Sequence, residues 1–175
     1  MSVERETLSF ISLDGASDIN ARFWVDSELT PKGVVHLVNG MAEHIDRYDE
    51  FARFLASRGF AVCGHDHIGH GGSVEDSSQL GHMPMKGGAD ILIADVDSLR
   101  KVASSRYPGL PYFIFGHSMG SFVTRCYLAR HGEGLAGAIL CGTGNQPAAL
   151  SAGGNALCHL IGVIKGSDYR SKLID

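Results

Sequence analysis

The chain has 175 residues, 44% of them hydrophobic and 19% charged, which suits one globular core and is too short for two comfortable domains. A formal net charge of -4 with no Lys/Arg cluster argues against a nucleic-acid footprint. Met1-Ser2-Val3-Glu4-Arg5-Glu6 has no apolar signal core and the longest apolar stretch, residues 156–164, is interrupted by His159, so neither secretion nor a membrane span is expected.

Residues 7–12 and 21–25 are short β-prone runs separated by the turn chemistry of Asp14-Gly15-Ala16-Ser17-Asp18, which predicts an antiparallel hairpin at a sheet edge. After Pro31-Lys32-Gly33, the continuous apolar run 34–38 predicts a buried strand that stops at Asn39-Gly40. From Glu43 the pattern turns helical, with Tyr48, Phe51, Ala52 and Leu55 on one face and Gly59 as the stop. Residues 60–64 give the next strand, followed by a Gly- and His-rich loop and a polar stretch over 73–88. Leu92, Val96, Leu99 and Ala103 mark another helix, closed by Pro108-Gly109-Leu110-Pro111. An apolar strand, a helix to about His131 and a last strand over 135–141 follow. The alternation from 34 to 141 predicts a parallel sheet covered on both faces, a three-layer α/β arrangement. Residues 148–165 are apolar but glycine-rich and read as helical only in their second half, around Leu157, Leu160, Ile161 and Ile164. Cys63, Cys126, Cys141 and Cys158 lie far apart without C-x-x-C spacing and read as buried free thiols in a reducing, cytoplasmic compartment.

The most informative stretch is residues 112–121, an apolar run ending in Gly116-His117-Ser118-Met119-Gly120. Gly-x-Ser-x-Gly should arise by chance roughly 0.3 times in a chain this rich in glycine, so its context decides. Here a strand precedes it, and Met119, Phe122, Val123 and Cys126 follow at i, i+3, i+4, i+7. That is the pattern of a nucleophile elbow, with Ser118 in a sharp turn and Gly116 and Gly120 letting strand and helix approach. The helix opening at Met119 aims its free N–H groups at the place where an oxyanion would develop. Residues 39–44 follow the first buried strand, where a second oxyanion donor belongs, and the Met41 N–H is the candidate; Glu43 as a plain helix cap is the competing reading. His65, His67 and His70 invite a metal, but a turn alone does not supply the remaining ligands and a metal would leave the elbow unexplained. Gly71-Gly72-Ser73 lacks the lysine of a phosphate cradle. Neither metal nor cofactor is expected.

Asn39-Gly40-Met41-Ala42-Glu43-His44 with Arg47-Tyr48, then Asp66-His67-Ile68-Gly69-His70-Gly71, then Gly116-His117-Ser118-Met119-Gly120-Ser121 resembles the monoacylglycerol lipase and lysophospholipase family of serine α/β-hydrolases. Three blocks in order cover about 34–144. The resemblance implies an α/β-hydrolase fold with Ser118 as nucleophile, Met41 and Met119 as oxyanion N–H donors, residues 66–71 as structural support, and an acyl ester or lipid substrate. It departs from the family at Asn39, usually histidine, and at Ile68, commonly arginine. It also implies a cap beginning near residue 147, after a core of residues 1–146, which could meet a membrane surface, and later strands that deliver the triad Asp and His. After Ser118 the chain offers only His131, His159, Asp168 and Asp175. His131 stands about 20 Å along the elbow helix at ~1.5 Å per residue, too far to be the base. The expectation is an amino-terminal portion of a hydrolase, inactive by itself and inclined to self-associate through the sheet edge at 135–141. A non-catalytic hydrolase fold, or action on a peptide or thioester, are the competing readings.

Overall fold

The computed structural model describes residues 2–84, 87–166 and 169. The chain divides into two compact units, Met1–Thr143 and Gly144–Asp175. Strands β1 (Val3–Ile11) and β2 (Asp18–Asp26) form an antiparallel hairpin in which Val3 pairs with Asp26 and Ile11 with Asp18. Both run longer than their β-prone cores, and β1, at the sheet edge, leaves the charged Glu4, Arg5 and Glu6 exposed. The Asp14 carboxylate closes the turn by accepting from the N–H groups of Ala16 and Ser17.

Strands β3 (Val34–Val38) and β4 (Ala61–His65) are buried at every position, as continuous apolar runs in a doubly covered sheet should be. With β5 (Tyr112–His117) and β6 (Gly137–Cys141) the six strands lie in the order β1-β2-β4-β3-β5-β6. β4, β3, β5 and β6 are mutually parallel, and β2 joins β4 antiparallel. Among the described strands β6 pairs with β5 only, and its residues 138–141 are exposed.

Alternation along the strands separates two cores. Val34, Val38, Ala61, Cys63, Tyr112 and Ile114 face the helices α2 (Gly88–Arg106) and α3 (Met119–His131). Trp24, Val35, Leu37 and Val62 face α1 (Asp49–Ala56) through Ala52 and Ala56. Trp24 is fully buried and its Nε1–H donates to Asp49 at 2.7 Å. On α2 the four positions Leu92, Val96, Leu99 and Ala103 are buried, and buried Asp95 accepts from Ser12 Oγ and the Leu13 N–H, tying the hairpin turn to the helix. Burial raises the Asp95 pKa, against the pull of those two bonds.

Four expectations change. The helix predicted from Glu43 begins as a 3-10 turn over Ile45–Tyr48, with the Ile45 N–H held by Asp66 at 2.6 Å, and becomes α-helical at Asp49. The buried face of α3 is Gly120, Ser121, Val123, Thr124 and Tyr127, not Met119, Phe122 and Cys126, with Phe122 42% exposed. Small residues face inward there because the helix lies against backbone: a Cβ on Gly120 would collide with the Val38 carbonyl, and one on Gly116 with Thr124. Only Cys63 is buried; Cys126 is on the outer face of α3, and Cys141 and Cys158 are exposed as well. In the second unit α4 (Ala148–Lys165) is helical throughout, its 18 residues holding the glycines 153 and 154 without a break. By length and composition alone it is long enough and apolar enough to cross a membrane, although core helices pass the same test and Asn155 and His159 lie within it.

Three fully buried imidazoles lie on the α2 side of the sheet. The rings of His36 and His65 are 5.8 Å apart and those of His65 and His67 5.3 Å. Burial, reinforced by the neighbouring rings, pushes His36 down to about 3 and His67 to about 4, and holds His65 well below its ordinary value. These groups are neutral in the fold and titrate near 6.5 when unfolded, so unfolding takes up protons below that pH. Their stabilisation is therefore complete above about pH 6.5 and is lost as pH falls toward the folded values, at ~1.4 kcal/mol per pH unit for each ring. Urea unfolding should show a steep fall in stability between pH 7 and pH 5; a flat profile would mean that the rings are solvated or charged in the fold. Gly120→Ala should destabilise by about 1–3 kcal/mol, because backbone rather than a yielding side chain opposes the new methyl. An unchanged urea midpoint would contradict the close approach of α3 to β3.

Candidate active site

The carboxyl ends of β3 and β5 bring two loops together. Ser118 lies between β5 and α3 at φ 52°, ψ −120°, a conformation L residues rarely adopt, and its side chain is exposed. The surroundings hold it there. The Ser118 N–H donates to the Cys141 carbonyl at 2.9 Å, continuing the β5–β6 ladder, while the Ser118 carbonyl accepts from the Ser121 N–H (2.9 Å) and Ser121 Oγ (2.6 Å). Met119 is the first residue of α3, so its N–H has no partner within the helix.

The loop after β3 sits against the serine: a Cβ on Gly40 would lie 3.1 Å from that of Ser118. Met41, 71% exposed, is the next amide. Ala42, at φ 56°, is the other non-glycine residue with positive φ among the described residues, so both strained positions flank one site. Asp66 anchors this loop from below. It accepts from the Ile45 N–H (2.6 Å), Asn20 Nδ2 (2.7 Å) and the Gly72 N–H (2.7 Å), joining three segments. His67 Nε2–H donates to the Asn39 carbonyl at 3.1 Å, fixing the end of β3. At the two departures from the family pattern, Asn39 is buried with its Nδ2 on the Gly40 carbonyl, and Ile68 joins the apolar core beside Ile19 and Ile91.

A cluster that sequence spacing did not reveal joins the two loops. The Glu43 carboxylate, 8% exposed, accepts from the Gly40 N–H, from Tyr48 Oη–H at 2.6 Å and from Arg47 at 2.9 Å. Tyr48 Oη lies 2.9 Å from His117 Nδ1, the residue before Ser118. Tyr48 has one proton and must give it to the carboxylate, so His117 Nδ1 carries a hydrogen and donates to Tyr48. Burial by itself raises the Glu43 pKa, but the bonds from Tyr48, Gly40 and His117 and the Arg47 charge outweigh it and hold the group below the usual carboxylate range. Burial and the bond to Glu43 push the Tyr48 hydroxyl up. The partners Tyr48 and His117 are 69 residues apart, so the fold alone brings them together. A cleft of about 410 Å³ opens beside the cluster, lined by Glu43, Arg47, Tyr48, Phe51, Phe115 and His117.

The other sequence candidates lie elsewhere. His131, at the far end of α3, stacks on Tyr127 and faces Asp97 at 4.0 Å. His159 belongs to the second unit, and Asp168 and Asp175 fall outside the described residues. His67 and His70 give their ring N–H groups to the carbonyls of Asn39 and Ile68. Among the described residues no group of three His, Cys, Asp or Glu side chains is arranged to hold a metal ion.

Comparison with known proteins bears on this arrangement. The Hydrolase_4 family, described as serine aminopeptidase, S33, matches residues 30–166. Monoglyceride lipase of Homo sapiens is 36% identical over 121 residues, covering 68% of this chain and 37% of that protein. Monoacylglycerol lipase of Mycolicibacterium smegmatis is 30% identical over 142 residues, 81% of this chain and 48% of that one. A thermostable carboxyl esterase from Bacillus coagulans, solved with glycerol, superposes with a TM-score of 0.83 at 40% identity over 93% of this chain and 52% of its own. A lipase in its open form gives 0.77 at 30% identity, over 90% and 51%. The chain thus spans between a third and a half of these curated relatives and about half of these solved structures. With its α/β-hydrolase sheet and its match from residue 30 to residue 166, the chain belongs to the Hydrolase_4 (serine aminopeptidase, S33) family, and it is similar in sequence to monoglyceride lipases.

Proposed function

We propose that this chain carries the nucleophile and oxyanion hole of a serine hydrolase acting on carboxylic esters of the monoacylglycerol or lysophospholipid type. The observation that carries the reading is Ser118 itself, an exposed serine in a positive-φ turn at the amino terminus of α3, with Gly40 against it. Ser118 Oγ attacks the acyl carbonyl, the alcohol leaves, and water hydrolyses the acyl-enzyme. As the carbonyl oxygen gains charge, the N–H groups of Met41 and Met119 receive it, each worth on the order of 3 kcal/mol in the transition state. The reading needs no metal or cofactor. Residues 147–175 are the start of a cap, and the apolar α4 is the part suited to a lipid or membrane surface. A peptide substrate is the second reading, favoured by the family's description as serine aminopeptidase.

A fluorophosphonate probe applied to the complete open reading frame that encodes this chain should label Ser118, and Ser118→Ala should abolish labelling without unfolding the protein. Labelling that survives the substitution would remove Ser118 from its role. A monoacylglycerol should be turned over in preference to an aminoacyl anilide; the reverse preference would favour the peptidase reading.

The 175 residues alone should be a poor catalyst, because among the described residues of the first unit no histidine is hydrogen-bonded to Ser118 Oγ, and a serine hydroxyl without such a base is too weakly acidic to attack an ester at neutral pH. Loss of triad members leaves only about 10³–10⁴ over the water rate. The exposed apolar residues of β6 should also make this chain self-associate, which sedimentation velocity would show as species above the monomer. Turnover of a short-chain nitrophenyl ester by residues 1–175 that equals the complete reading frame, and that His159→Ala removes, would mean that this chain builds its own base.

A further inference from the structure

We propose that Glu43 is a positioning residue for the oxyanion hole, one buried carboxylate that sets the loop carrying Met41 against the strand end carrying Ser118. The proposal rests on the reading of Ser118 as nucleophile. Gly40 is wedged between the two groups: a Cβ there would lie 2.8 Å from Glu43 Oε1 and 3.1 Å from Ser118 Cβ. The Gly40 N–H points back to the carboxylate, so it is turned away from any oxygen held over the serine, and the next amide, Met41, is left to face the substrate. The bond from Gly40 to a side chain three residues on closes the turn around Ala42, whose φ of 56° would otherwise relax to the negative values that L residues prefer. The same Oε1 accepts from Tyr48, and Tyr48 receives His117 Nδ1–H, so the anion is also fixed to the residue preceding Ser118. Ser118 has separate restraints, from Cys141 and Ser121, that do not involve Glu43. Losing the carboxylate's reach therefore shifts one oxyanion donor while leaving the nucleophile where it is.

What matters in this account is an acceptor at the right distance, rather than negative charge. Glu43→Gln keeps an oxygen in reach of Gly40 and removes the charge. Glu43→Asp keeps the charge and falls one methylene short. In the complete open reading frame, native protein and both variants are compared for fluorophosphonate labelling rate, kcat and KM on a short nitrophenyl ester, and melting temperature. The expected result is that Glu43→Asp loses about 10- to 100-fold in kcat and in labelling rate, the scale of an ångström's misplacement or a lost donor, with KM within about threefold of native. Glu43→Gln should stay within about fivefold. If Glu43→Asp does not fold, Glu43→Ala takes its place with the same expectation. The proposal is overturned if Asp matches native, if Gln falls as far as Asp, or if the loss appears in KM or follows the melting temperature instead of kcat. Native protein that fails to label at Ser118 would overturn the nucleophile reading and this proposal with it, whereas native labelling with unchanged variants overturns the Glu43 proposal alone.

Discussion

Holding a serine backbone at φ 52° costs on the order of 1–3 kcal/mol, and much of the local packing exists to keep it there. The Ser118 N–H extends the β5–β6 ladder by one bond, so the turn can be made only where β6 runs alongside. Two donors from Ser121 fill the Ser118 carbonyl. The helix that follows brings Gly120 onto the carbonyls of Val38 and Asn39. Each of these contacts would be out of place around an ordinary extended residue.

The loops at this end of the sheet have left the strand ladders, so their N–H groups need other acceptors. Buried or half-buried carboxylates supply them, since an ionised carboxylate offers about four lone-pair sites and no donor. Asp66 binds three donors from three segments, Glu43 joins the loop after β3 to the end of β5, and Asp95 binds the hairpin turn to α2. The apolar cores hold helices to the sheet, Asp66 and Glu43 hold loop to loop, and Asp95 holds a turn to a helix. The division suits a site in which backbone direction has to be set closely, because a hydrogen bond is directional and apolar contact is not.

What could be read from sequence follows the range of the forces involved. Strands 34–38 and 61–65 and the apolar positions of α2 were legible because burial imposes a period that one chain segment displays by itself. The elbow was legible because Gly116, Ser118 and Gly120 are neighbours. In α3 the period misled in its first turns, since a helix start pressed against backbone turns Gly120, Ser121 and Thr124 inward beside Val123 and Tyr127 and leaves Phe122 outside. The onset of α1 depended on a bond between Ile45 and Asp66, 21 residues away, and the cluster of Glu43, Tyr48 and His117 on contacts across 69 and more. No local pattern carries such information. For Glu43 the one available sign was a carboxylate between a buried strand and a tyrosine, which a helix cap would explain as well.

The chain's single tryptophan gives the molecule an internal reporter with a narrow field of view. Trp24 is sealed among Leu37, Ile45, Ala52 and Val62 with its indole N–H on Asp49, on the face of the sheet opposite α2 and α3. Its emission should be blue-shifted and shielded from dissolved quenchers. It senses the junction of hairpin and α1 directly, and the loop beside Ser118 only through Ile45. Fluorescence can therefore follow loosening of that junction while remaining nearly silent to a small molecule that settles over the serine without moving the backbone.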